Sequence, residues 1–193
     1  MPKRDPAGTQ QRILAAALAE FSKKGLAGAR VDAIAHRAQV NKRMLYHYFG
    51  DKQALYREIV RRKAAAKAQT TRKNPADLGE ALAEWYDEES SDQNWIRLLT
   101  WEALGGSSSG SDGGRGEPFA AMKSWLQAEQ NAGRIGKLDP EHLMLALLAV
   151  DMFPVAFPQL TRAVTGRSPT DATFKRRHKA FLRELAGYLE RRS

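Results

Sequence analysis

Two short stretches with helical apolar spacing, residues 31–38 and 42–48, are separated by only Gln39, Val40 and Asn41. So small a gap leaves no room for a crossover, so the second stretch must turn sharply and pack against the first. Ile34, Ala35, Ala38 and Val40 are placed to bury between the two, and they are small enough to allow close approach. Leu45 and Phe49 are placed to lock the second helix onto a core. Asn41 can cap it, because its side-chain oxygen can accept from a free amide of the first turn. Lys42, Arg43, Met44, Tyr46, His47 and Tyr48 then divide between an outer face and the flanks.

The same period runs through nearly the whole chain, and no segment shows sustained strand alternation, so an all-α fold is expected. A first helix is expected over 10–24, with Thr9 as its cap and Ile13, Leu14, Ala17, Leu18 and Phe21 as its apolar stripe. Gly25 stands where a left-handed residue closes a helix. Asp51 can cap a longer helix that starts at Lys52, buries Leu55, Ile59 and Val60, and runs towards Thr71. Further helices are expected at 77–90, 93–104, 118–132, 140–163 and 171–191. The glycine- and serine-rich stretch 105–116 reads as a tolerated surface loop. The domains are placed at 1–55 and 56–193.

Charge divides the chain in the same sense. Residues 1–73 carry 17 Lys/Arg against 5 Asp/Glu, whereas residues 74–193 carry 14 against 17. A basic N-terminal part joined to a slightly acidic remainder points to a polyanion-binding module attached to something with another task. There is no cysteine, which excludes disulfides, thiol nucleophiles and cysteine-ligated zinc, and suits a reducing cytoplasm. The four histidines (His36, His47, His142, His178) include no i,i+4 pair, so no metal and no cofactor are expected. The charged N-terminus is followed by no apolar leader core. The most apolar stretch, 143–157, contains Asp151 and Pro154 and is too short to span a bilayer, so no membrane association is expected. Asp151, His142 and Glu102 are the acids and base an enzyme would have to use. No nucleophile elbow, phosphate loop or metal pair accompanies them, so no enzyme is expected.

Two short helices with a tight turn, set in a basic segment, form a helix-turn-helix pattern whose second helix would enter the major groove of double-stranded DNA. Arg43 can pair both guanidinium branches with a guanine edge. Lys42 can do the same or bind phosphate, and Met44 offers an apolar contact to a thymine methyl. Residues 9–60 resemble the DNA-binding domain of the TetR (tetracycline repressor) family. The resemblance rests on Gly25, Val31, Ile34-Ala35, Ala38, Val40, Leu45-Tyr46-His47-Tyr48-Phe49, Lys52 and Leu55 in register. It implies backbone contacts to DNA from Tyr46, His47 and Lys52 and, with Asn41, a site comprising Lys42, Arg43 and Met44. The sequence departs from the family pattern at Arg30, where a Ser or Thr cap is usual, at Gln39, where glycine is common, and at Arg43 and Met44, where small residues are common.

Beyond residue 75 the resemblance implies a helical ligand-binding and dimerisation domain whose last two helices join those of a second subunit. Leu143 and Leu147 on one helix, with Phe174, His178, Phe181 and Leu185 on the last, form stripes suited to a homodimer interface. A small-molecule effector, largely apolar or aromatic, is expected among Trp85, Tyr86, Trp95, Leu98, Trp101, Glu102, Met122, Trp125, Met144, Asp151 and Met152. Glu102 and Asp151 would orient a polar or cationic group. The implied mechanism is a pendulum, in which ligand entry shifts the long helix from Lys52 and the paired recognition helices lose register with a palindromic operator.

Overall fold

A computed structural model describes residues 5–71, 77–105 and 116–190; among them the regular elements are all helices. Residues 106–115 of the glycine- and serine-rich loop lie outside the described residues. The chain divides into two compact units, one of Met1–Ala66 with Arg97–Arg115, the other of Lys67–Ile96 with Gly116–Ser193. This differs from the division at residue 55: the break falls later in the long helix, and part of a C-terminal helix returns to the first unit.

The first unit is built on α1 (Pro6–Gly28), α2 (Val31–Arg37), α3 (Lys42–Phe49) and the first part of α4 (Lys52–Thr71). α1 begins a turn earlier than the sequence suggests. Asp5 is its cap, accepting from the Gly8 N–H at 3.0 Å, and Pro6 takes a first-turn position where a missing N–H costs nothing. Thr9, the expected cap, lies inside the helix and donates its hydroxyl to the Asp5 carbonyl at 2.8 Å. Gly25 adopts φ 66°, ψ 175°, and it kinks the helix instead of ending it. A Cβ at Gly25 would lie 3.1 Å from the Trp101 ring, so both the backbone and the close approach require glycine.

Ile13, Ala17 and Phe21 of α1 bury with Ile34, Leu45, Leu55 and Ile59, and Phe21 meets Tyr56 edge-on at 5.4 Å. Arg30 provides no side-chain cap for α2. Glu20, only 3% exposed, accepts from the Arg30 N–H at 3.4 Å and from Lys24 at 2.8 Å. The Lys24 bond is the main reason its carboxyl titrates below the usual range. A residue ten positions upstream thus serves the helix start that Arg30 leaves uncapped.

In the second unit, α5 (Leu78–Ser91) packs against both α8 (Pro140–Ala156) and α10 (Ala172–Glu190), and α7 (Gly116–Asn131) packs on α8. Gly79 brings α5 close to α10: a Cβ there would sit 3.2 Å from the Arg183 Cα. Ion pairs Lys179–Asp87 at 2.7 Å and Arg183–Glu80 at 3.1 Å run along the same seam. Leu78, Leu82, Trp85, Tyr86, Met122, Leu126, Leu143, Leu147 and Leu182 form the core.

The single helix expected over 140–163 is two. α8 ends at Phe157, and α9 (Pro158–Thr165) leaves it at 89°. A proline cannot donate into the preceding turn, and it disfavours helical backbone at the residue before it; Phe157 has φ −123°, ψ 64°. α6 (Gln93–Leu104) begins in the second unit and passes into the first at Arg97. No single helix among the described residues is long and apolar enough to cross a membrane.

Candidate DNA-binding surface and effector domain

α3 is held by its two ends and one buried side chain. Asn41 Oδ1 accepts from the Met44 N–H at 2.7 Å, as its position predicts. At the far end the Gly50 N–H closes on the Tyr46 carbonyl at 2.8 Å, with Gly50 at φ 78°. Leu45 is fully buried and fixes the rotation of the helix. Given that rotation, Asn41, Lys42, Arg43, Tyr46 and His47 are exposed, and Met44, Tyr48 and Phe49 are half-buried. The outer face therefore combines two cations, a phenol and an imidazole, a set able to meet both base edges and phosphates.

The cations are not equivalent. Lys42 Nζ lies 3.0 Å from Asp32 Oδ1, and this bond raises the ammonium above its usual pKa. Arg43 makes no ion pair among the described residues and stands ready for an outside acceptor. Lys52 is turned inward in part, its Nζ donating to the carbonyls of Ala27 and Ala29, both at 3.3 Å. It closes the exposed carbonyls at the end of α1, leaving one of its three donors for a phosphate. Arg12 Nε reaches the Ala38 carbonyl at 3.4 Å and ties α1 to the turn. Asp32 and Arg12 were missed by sequence reasoning. Neither stands at a spacing that marks its partner, because both contacts arise from the folding of one helix over another.

The residues expected to line an effector site do not form one group. Leu98, Trp101 and Glu102 belong to the first unit, because α6 passes between units before them. There Trp101 lies over Gly25, and with Glu102, Lys24 and Tyr56 it borders a cleft of ≈ 240 Å³. Trp85, Tyr86, Trp95, Met122, Trp125, Met144, Asp151 and Met152 are in the second unit. Trp85 and Trp125 meet edge-on with centroids 6.3 Å apart; Trp95, Trp125 and Met152 are half-buried against the core.

Tyr86, Asp151 and His178 bring titratable groups into the packed interior of this unit. Tyr86 is fully buried and donates to the Pro169 carbonyl at 3.4 Å; burial first, then the charge of Asp151, pushes its phenol far above its ordinary pKa. Asp151 is itself fully buried. The His178 ring packs 4.6 Å from that of Tyr86 and stacks on Phe174 at 5.5 Å. Burial lowers its pKa, partly offset by a bond to the Val150 backbone.

Leu143, Leu147 and Phe174, expected at a subunit interface, are instead buried in the core of their own unit. The helical stripe was real, but it faces the core of the unit itself. Phe181 is 49% exposed, and Leu185 and His178 are half-buried. Leu145, Phe153, Leu160 and Tyr188 add exposed apolar surface. Among the described residues no group of three or more His, Asp or Glu side chains could hold a metal ion.

Residues 13–59 match the family model described as bacterial regulatory proteins, tetR family, and residues 77–187 match the tetracyclin repressor-like C-terminal domain. The chain belongs to the TetR family. It is 32% identical over 169 residues to the HTH-type transcriptional repressor SCO4008 of Streptomyces coelicolor, covering 86% of this chain and 88% of that one. Against the HTH-type transcriptional regulator RutR of Escherichia coli K12 it is 31% identical, with 86% and 82% covered. A crystal structure of the putative transcriptional regulator SCO4942 from S. coelicolor superposes with a TM-score of 0.79 at 28% identity, covering 96% of this chain and 99% of that chain. As a TetR-family transcriptional regulator, the protein has its helix-turn-helix in α2 and α3.

Proposed function

We propose that the protein is a cytoplasmic, homodimeric repressor that holds a palindromic operator through Asn41, Lys42, Arg43, Met44, Tyr46, His47 and Lys52, and that a small, largely apolar or aromatic effector releases it. It has no catalytic role in this reading. The observation that carries it is the orientation of α3: Leu45 is buried, and Lys42, Arg43, Tyr46 and His47 are exposed on a capped helix. Arg43 reads a base, because its guanidinium has no ion pair among the described residues. Lys42 must exchange Asp32 for DNA or remain a shared contact. Lys52 acts chiefly as a positioning residue that sets the end of α1, with a secondary backbone contact.

One recognition helix covers too little DNA to be selective, whereas two, spaced about 34–36 Å apart, read a palindrome. The surface that would join two chains consists of Phe181 and Leu185 of α10 with Leu145 and Phe153 of α8, apolar side chains exposed or half-buried on the single chain. Effector recognition is assigned to the second unit, around Trp85, Trp125, Met144 and Met152, with Asp151 and Tyr86 as the polar groups.

Selection from randomised duplexes tests the DNA reading. The wild type should enrich a two-fold symmetric sequence, and Arg43→Ala should relax one position per half-site, at about 1–3 kcal/mol. No enrichment, or enrichment of an asymmetric single site, would refute it. Effector release is tested separately, by loss of the selected operator on adding small aromatic compounds, with tryptophan fluorescence as the binding signal.

A further inference from the structure

The C-terminal part is acidic overall, yet α10 carries five consecutive basic side chains, Lys175-Arg176-Arg177-His178-Lys179, which DNA recognition by α3 does not use. Two cations in this region are satisfied within the chain: Lys179 pairs with Asp87 at 2.7 Å, and Arg167 approaches Asp171 at 3.5 Å. Arg177 makes no ion pair among the described residues. It borders an open groove of ≈ 380 Å³ between the end of α9 and the first turns of α10, lined by Val164, Thr165, Arg167, Phe174, Arg177 and His178.

The groove combines two kinds of surface. Val164, 84% exposed, forms an apolar lip, and Phe174 and His178, packed on each other, add the rest of the apolar lining. His178 Nε2 is buried and has no hydrogen-bond partner among the described residues, and the ring is held by packing and by its bond to the Val150 backbone. The same lining carries the guanidinium groups of Arg167 and Arg177. Gly166, left-handed at φ 71°, ends α9 and turns the chain so that Arg167 follows directly at the rim. An uncharged apolar molecule would leave the Arg177 guanidinium unused, and a bare inorganic anion would leave the apolar lining wet. A flat body bearing one carboxylate satisfies both.

We propose that this groove is a binding site for a small aromatic or otherwise flat carboxylate, with its carboxylate on Arg177 and its body against Val164, Phe174 and His178. Its lining shares no residue with the effector site assigned above, although His178 packs on Tyr86 of that site, and it requires neither DNA nor a particular regulatory outcome.

Calorimetric titration of 1-naphthoate into the full-length protein without DNA tests it. Saturable binding of one molecule per protomer is expected. Arg177→Gln should weaken it by about ten-fold or more, the loss of one charge-assisted contact. Val164→Glu, at an exposed lip where folding is not at stake, should weaken it by about as much through like-charge repulsion. 1-Naphthamide, with the same ring and no charge, should bind at least about ten-fold more weakly. Arg176→Gln, which alters the basic run outside the groove lining, should leave the affinity within about two-fold. The proposal is overturned if naphthoate does not bind, if Arg177→Gln binds like the wild type, or if the amide binds as tightly as the acid. It is also overturned if Arg176→Gln loses as much as Arg177→Gln, or if inorganic phosphate displaces naphthoate at equal concentration, since either marks a diffuse basic potential.

Discussion

Gln39 is the position in the DNA-binding unit where replacing one residue should improve the protein. It has φ 56°, and it is the one non-glycine residue with positive φ among the described residues. The reason is visible in its neighbours. α2 ends with the Val40 N–H bonded to the Ala35 carbonyl at 3.0 Å and the Gln39 N–H bonded to the His36 carbonyl at 3.1 Å. That pair of reversed bonds closes a helix through a left-handed residue, and glycine is favoured there because it has no Cβ to crowd the following carbonyl. An L side chain in this conformation costs about 1 kcal/mol. Gln39→Gly removes that cost and returns about half of it as extra freedom of the unfolded chain. The side chain is exposed, so little packing is lost. The net expectation is a gain of about 0.5 kcal/mol, or roughly 2–4 °C in the melting of a unit this small. Because a chain of two compact units need not melt in a single step, scanning calorimetry should be combined with hydrogen exchange at Val40 and Leu45. Slower exchange at both amides, with a raised first transition, is the expected result. An unchanged or lower transition would show that the glutamine side chain contributes what the backbone loses, and the strain argument would fail.

Asp32→Asn should tighten DNA binding and steepen its salt dependence by up to about 0.9 in the log–log slope, because Lys42 is freed for a phosphate; an unchanged slope in fluorescence anisotropy would place Lys42 off the DNA. Phe181→Glu should convert a sedimenting dimer into a monomer that has lost preference for a two-half-site operator, and a dimeric mutant would move the interface elsewhere on the exposed apolar surface. Glu58 is held at about 2, chiefly by its bond from Arg61 and then by Arg62. Its contribution is therefore present above the free value of 4.5 and lost as pH falls from there through about 2. Glu58→Gln should cost about 1 kcal/mol at pH 7 after allowance for solvent screening, falling to little near pH 2 and to nothing below it; a cost that persists undiminished in acid would make it a packing effect.

The helix-turn-helix was legible because its determinants are local. Asn41 and Asp51 cap the helices that follow them, and Leu45 is an isolated apolar residue whose burial sets the face that Arg43 and His47 occupy. The break at Phe157 had a local signal too, the proline that follows, but the apolar run through it suggested one continuous helix. Partner choice was not legible. Periodicity marks Phe174 and Phe181 as residues of one helix stripe, but it does not say that the core takes in the first and leaves the second exposed. Nor does any spacing reveal that Trp101 ends on Gly25, across some seventy-five residues of intervening sequence.

That last contact bears on how regulators of this kind can be recombined. A cut within the long helix, joining residues 1–66 to a foreign sensor, transplants what looks in sequence like a complete reading head. It would leave behind Arg97–Gly105, and with it the indole that covers the Gly25 kink and the buried Leu98. The graft would carry every DNA-contacting side chain and still expose a bare glycine bend beside Tyr56. Its function would then depend on whether the new sensor happened to supply an aromatic ring at that point. The portable piece of this protein is discontinuous in sequence, and a chimera built from it needs two segments.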